Sequence, residues 1–223
     1  MALHGKEAKA LGHSAGTSDN GQKSKEELIL EAAEREFLQK GYAGARTVAI
    51  AEAAGVTHAM LHYYFRSKEK LFEQIMSRKI TMLRDLMMES VGNQGMPLFE
   101  KIRLTIENHM KFLAANPDLP RFLVNEVFGQ PERMGMVRKM IEFHAPRVVE
   151  SLQRQIDEYA SRRECRGVDA RMLILDFVSL NVFSFVAMPL VNVLMGDLPI
   201  GSERFLRERT RENIDTIMRK LKP

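Results

Sequence analysis

The chain has 223 residues, 45% apolar and 28% charged, enough to bury a sizeable core and too apolar for a chain disordered throughout. Its one cysteine, Cys165, excludes a disulfide framework and a cysteine-built zinc finger. The formal charge of +4 permits a polyanionic partner without requiring one.

No apolar run approaches the ~20 residues of a membrane span, and the residues after Met1 lack the apolar segment of a signal peptide. A soluble, cytoplasmic protein with no membrane partner is therefore expected. Residues 1–23 are rich in Gly, Ser, Asp, Asn and Lys and carry almost no periodic apolar positions, which predicts a disordered arm. Order is expected to begin at Ser24, where Ser24-Lys-Glu-Glu27 is a capping box. Ile29, Ala33 and Phe37 then recur every fourth residue, predicting a helix over about 25–40 with Gly41 as its stop. Thr47 to Ala54 and His58 to Tyr64 read as two short helices joined by Gly55-Val56-Thr57. That spacing makes a helix-turn-helix. Gly55 is needed at the turn because the backbone there takes a positive φ.

Ser67 caps a further helix carrying Leu71, Phe72, Ile75, Met76, Ile80, Leu83 and Leu86 at helical spacing. Leu98, Ile102, Ile106 and Leu113 form a stripe up to Asn116-Pro117, and Pro117 and Pro120 open a short helix through Phe128. Longer helices are predicted over about 132–162, 169–195 and 202–221, with a kink at Pro189. No period-two alternation occurs. The expected fold is all-α, with about nine helices: a three-helix helix-turn-helix domain at 24–70 and a larger helical domain at 71–223.

The stretch Gly41 to Phe72 reads GYAGARTVAIAEAAGVTHAMLHYYFRSKEKLF. Gly41-Tyr42, Ile50-Ala51, Ala54-Gly55-Val56, Leu61, Tyr64-Phe65, Ser67-Lys68-Glu69 and Leu71 resemble the N-terminal domain of the tetracycline-repressor (TetR) family of bacterial transcription regulators. The resemblance covers about 50 residues. It implies a dimer that binds a palindromic DNA operator and a larger domain that answers a small-molecule effector.

The residues suit that role on their own terms. Ile50, Leu61, Phe65 and Leu71 pin the second short helix, which leaves His58, Ala59, His62 and Tyr63 outward for a major groove. Arg46, Thr47, Thr57, Tyr64 and Lys68 flank it as candidate phosphate contacts. Two departures from the family pattern stand out. Ala45 and Arg46 replace the usual hydroxyl residues, and His62 replaces a tyrosine. Protonation of His62 would strengthen a phosphate contact, so tighter DNA binding is expected at mildly acid pH. The i, i+4 pair His58 and His62 also has metal-ligand spacing, but without a nearby Glu or a third ligand we read it as DNA contact and expect no metal and no cofactor.

Polar groups within apolar helices mark candidate effector contacts: Thr105, His109, Asn125, Asn181 and Ser184, with Phe112, Phe122 and Phe143 as aromatic lining. Core packing is the competing account of each, and of the 15 methionines. Tyr42 reads as packing, His144 as a satisfied core histidine, and Cys165 as an idle loop thiol. The segment 169–195 is apolar nearly all round. With 202–221 it would form a four-helix homodimer interface, as the resemblance also implies.

No nucleophile elbow, phosphate loop, zinc-spaced set or catalytic triad is present, so catalysis is not expected. Two alternatives stay open: a larger domain that answers a protein or nucleotide-like messenger, and a helical interaction module that does not bind DNA.

Overall fold

The computed structural model describes residues 23–93, 95–142, 144–196 and 198–223. The predicted arm falls almost wholly outside them. Lys23 is described, and it pairs with Glu31 at 2.6 Å. Every regular element among the described residues is helical.

Three helices form the N-terminal head. Helix α1 (Lys25–Gly44) opens on the capping box: Ser24 Oγ accepts from Glu27 N–H, and the Glu27 carboxylate accepts from Ser24 N–H. The helix is broken at Gly41, whose φ of 70° and ψ of 172° are non-helical. Helices α2 (Thr47–Ala53) and α3 (His58–Phe65) are the helix-turn-helix, with Gly55 at φ 65° between them. Thr57 caps α3 by accepting from Met60 N–H. Ile29, Ala33, Phe37, Ile50, Ala51, Leu61 and Phe65 close over a common core.

Helix α4 (Lys68–Val91) leaves the head and runs into the larger domain. Its first turns place Leu71, Phe72, Ile75 and Met76 in the head core, where Phe122, Val127 and Val137 join them. Next come α5 (Leu98–Ala115) and α6 (Leu119–Leu123), the latter continuing as a π-helical turn over Val124–Phe128. The chain ends with α7 (Pro131–Ile141), α8 (Ala145–Ser161), α9 (Ala170–Val186), α10 (Met188–Met195) and α11 (Glu203–Leu221).

Eleven α-helices among the described residues replace the nine expected. Two predicted helices are each divided. The predicted helix 132–162 is divided between the end of α7 at Ile141 and the start of α8 at Ala145, ahead of Pro146, and 169–195 breaks at Ala187 ahead of Pro189, where the axis turns by 84°. A proline lacks the N–H for an i−4 bond and its ring clashes with that carbonyl, so each becomes an early residue of a new helix rather than a kink within an old one. No single described helix is long and apolar enough to cross a membrane.

Cys165 lies in the loop between α8 and α9, as expected, but is not exposed there. It is buried, its Sγ–H lies 3.7 Å from the Ile156 carbonyl, and burial, with Glu164 beside it, pushes the thiol pKa up. His144 is half-buried and stands at the start of α8.

Candidate functional site

Leu61 and Phe65 hold α3 against the head core by one face. The opposite face carries His58, Ala59, His62, Tyr63 and Tyr64, all exposed, with Tyr63 73% exposed. An aromatic side chain left this open does not stabilise the monomer by burial. Arg46 is exposed at the start of α2, and its N–H donates to Glu36. Thr57 is exposed, but its hydroxyl oxygen is already held by Met60 N–H.

The two histidines are less free than the sequence implies. His58 Nε2 lies 2.9 Å from Thr47 Oγ1, which ties the first residues of α2 and α3 together. The His62 Nδ1–H donates to the Arg66 carbonyl at 3.2 Å, and the two rings meet edge to face at 4.4 Å. In neutral His62 the outward Nε2 is therefore an acceptor, and it donates to a phosphate oxygen only when protonated. The Lys68 ammonium reaches the Ala43 carbonyl at 3.3 Å and stands 4.7 Å from the centre of the Tyr42 ring.

The larger domain encloses an apolar cavity of about 320 Å³. Leu83 and Met87 enter from α4; Lys101, Ile102, Thr105 and His109 from α5; Ile141 from α7; Ala145, Val148 and Leu152 from α8; and Leu173, Ile174, Phe177 and Val178 from α9. Behind it lies a polar network. Asn181 Nδ2 donates to the Ile106 carbonyl (3.2 Å) and to His109 Nδ1 (3.2 Å), while Asn181 Oδ1 accepts from Asn213 (2.8 Å). This network makes Nε2 the protonated nitrogen of neutral His109. Burial lowers its pKa to about 4. Thr105 donates to the Lys101 carbonyl at 2.7 Å and meets Ser90 Oγ at 2.8 Å.

Of the predicted effector residues, Thr105 and His109 line this cavity and Asn181 backs it. Phe112 packs in a separate cluster with Met110, Leu119 and Phe185. Phe122 belongs to the head core, 5.9 Å from the Phe72 ring. Asn125 is exposed near Gly41, and Ser184 lines a different cleft with Val191 and Phe205. Phe143 lies outside the described residues. Lys101 was missed, although its spacing from Leu98 and Thr105 put it on the buried stripe of α5.

Residues 29–75 match the model of the family described as bacterial regulatory proteins, tetR family. Through this segment the chain is similar to the TetR family. The HTH-type transcriptional regulator YdgC of Bacillus subtilis, itself uncharacterized, is 29% identical over 120 residues, spanning 50% of this chain and 60% of that relative. In fold, the chain is similar to the transcriptional regulator FadR of B. subtilis solved with stearoyl-CoA (TM-score 0.65, 18% identity, 87% of this chain and 98% of that one). It is also similar to a TetR/AcrR-family regulator of Thermobifida fusca (TM-score 0.62, 21% identity, 86% and 97%).

The head is fastened to the larger domain on two sides. Tyr42 stacks on Phe37 (5.8 Å) and meets Phe72 edge-on (5.1 Å), as its packing role predicts, while the Arg133 guanidinium covers it at 4.2 Å. Glu126 accepts from Tyr42 N–H (3.1 Å) and pairs with Arg133 (3.1 Å). On the other side Lys79 of α4 bridges Glu34 of the head (2.6 Å) and Asn116 at the end of α5 (2.7 Å).

Proposed function

We propose that the protein is a ligand-responsive transcriptional regulator, acting as a dimeric repressor. In this reading residues 24–70 bind operator half-sites through Tyr63 and the outward face of α3. Residues 71–223 hold a small apolar or amphipathic effector and dimerise. The observation that carries the reading is α4, one helix whose first turns belong to the head core and whose last turns line the cavity. From Phe72 to Met87 the lever is about 22 Å long at 1.5 Å per residue.

An effector that binds one setting of α4 better than another changes the separation of two heads. Differential affinity of ~1–3 kcal/mol is an ordinary coupling. The two recognition helices of a dimer must sit roughly 34–36 Å apart to meet successive major grooves, so the operator is a palindrome. Dimerisation is supported by the exposed apolar side chains on α9 and α10, among them Val193 (79% exposed) and Leu194 (70%). The apolar lining favours a hydrocarbon effector over a nucleotide-like messenger. The stearoyl-CoA in the FadR structure points the same way.

The test is a salt-titrated binding assay with DNA from upstream of the protein's own gene and random duplex as control. Two chains per site, preference for the upstream DNA and a steep fall with salt are expected. Absence of binding to either duplex at low salt overturns the reading.

A further inference from the structure

Lys101 is the exception in the wall of the cavity. It is only 3% exposed, and among the described residues no carboxylate lies within ion-pairing distance of its ammonium. It stands in the opening turns of α5, where the helix dipole also disfavours a cation. A lysine side chain so largely withdrawn from water without a counter-charge is costly, and burial lowers its pKa. The neighbouring Thr105 hydroxyl is directed to the Lys101 carbonyl and to Ser90 Oγ.

We infer that the cavity receives the carboxylate end of a small amphipathic acid, and that Lys101 holds it. The inference rests on the reading of this cavity as the effector site and narrows the effector to an anion whose charge enters the protein. A single ammonium matches one carboxylate, whereas a phosphate dianion would bring more charge and three acceptor oxygens. Apart from Thr105 and His109 the remaining lining is hydrocarbon and suits an alkyl chain. At ~30 Å³ per water the space equals about ten waters, room for roughly ten heavy atoms, the size of octanoate. A neutral ester of the same chain would fill the cavity and leave Lys101 unpaired.

The experiment is isothermal titration calorimetry on the full chain with octanoate and with methyl octanoate. The wild type should bind octanoate at one site per chain, at least about tenfold tighter than the ester. Lys101→Met keeps the length and volume of the side chain and should erase that preference, while Lys101→Arg should keep it. The Met variant should also unfold at a higher temperature than ligand-free wild type, which separates lost binding from lost folding. Equal binding of acid and ester by the wild type overturns the inference, as does absence of binding by both or an acid preference that survives in Lys101→Met. DNA binding is read separately on the upstream duplex. Its failure overturns the regulator reading with the calorimetry unaffected, and its success beside equal acid and ester binding overturns only the role of Lys101.

Discussion

Gly41 shows how much one position can decide. Its φ of 70° and ψ of 172° lie in a region essentially restricted to glycine, and a Cβ there would sit 2.5 Å from Glu126 Oε1. Gly41→Ala must therefore strain the backbone and also push Glu126 off Tyr42 N–H. Gly55 shares a positive φ, but a Cβ there meets nothing within 4 Å. We expect Gly41→Ala to cost about 2–4 kcal/mol and Gly55→Ala about 1–2, measured by urea unfolding. Equal losses would mean that the Glu126 contact contributes nothing.

His109 sets a pH dependence. Its folded pKa of about 4 lies below the ordinary 6.5. Above pH 6.5 the ring is neutral in both states and contributes no slope. Below it the unfolded chain takes up a proton that the folded one refuses. Stability then falls by about 1.4 kcal/mol per pH unit until pH 4, about 3 kcal/mol in all. His109→Gln, which can still accept from Asn181, should flatten this loss between pH 6.5 and 4. Parallel curves for both proteins would assign the loss to other groups. Thr105 and His109 were legible in the sequence because polar residues interrupt an apolar stripe. Lys101 shares the buried stripe by its spacing, but its charge, between Glu100 and Arg103, reads as that of an ordinary solvated face.

Among the elements, α3 carries a division of labour that substitution can separate. Tyr63 projects from the outward face, its ring 5.6 Å from that of Tyr64. Tyr63→Ala should weaken binding to the preferred duplex and relax sequence preference, leaving the melting temperature nearly unchanged. Lys68 sits at the first turn of α4, so Lys68→Ala should weaken all duplexes about equally and lower the salt slope by about 1. Identical effects of the two would refute this placement of α3. The helix-turn-helix was legible down to its caps because Ser24, Thr57 and Ser67 act within three residues of themselves. The divisions at Ala187 and between α7 and α8 were harder to read. Apolar periodicity continues across each, and Pro146 and Pro189 mark a break without saying how far the axis turns.

For the whole molecule, the exposed apolar surface of α9 and α10 has to be reconciled with a stable protein in water. Leu175, Phe183, Leu190, Val193 and Leu194 lie at least half exposed, and the 84° turn at Ala187 sets α10 at a steep angle to α9. The sequence carried the composition of this surface but not its shape, because an all-round apolar pattern does not say which side a neighbour covers. A second copy meeting the same surface about a two-fold axis would bury it. Val193→Glu with Leu194→Glu removes apolar surface and adds like charges to both sides of such an interface. The double variant should sediment as a monomer with an unaltered helical circular dichroism spectrum. It should also lose most of its affinity for a palindromic duplex, since each head then binds alone. Loss of dimer with retention of full affinity would mean that the heads do not act in pairs. A variant that still sediments as a dimer would move the interface to another face, with α11 the next to test.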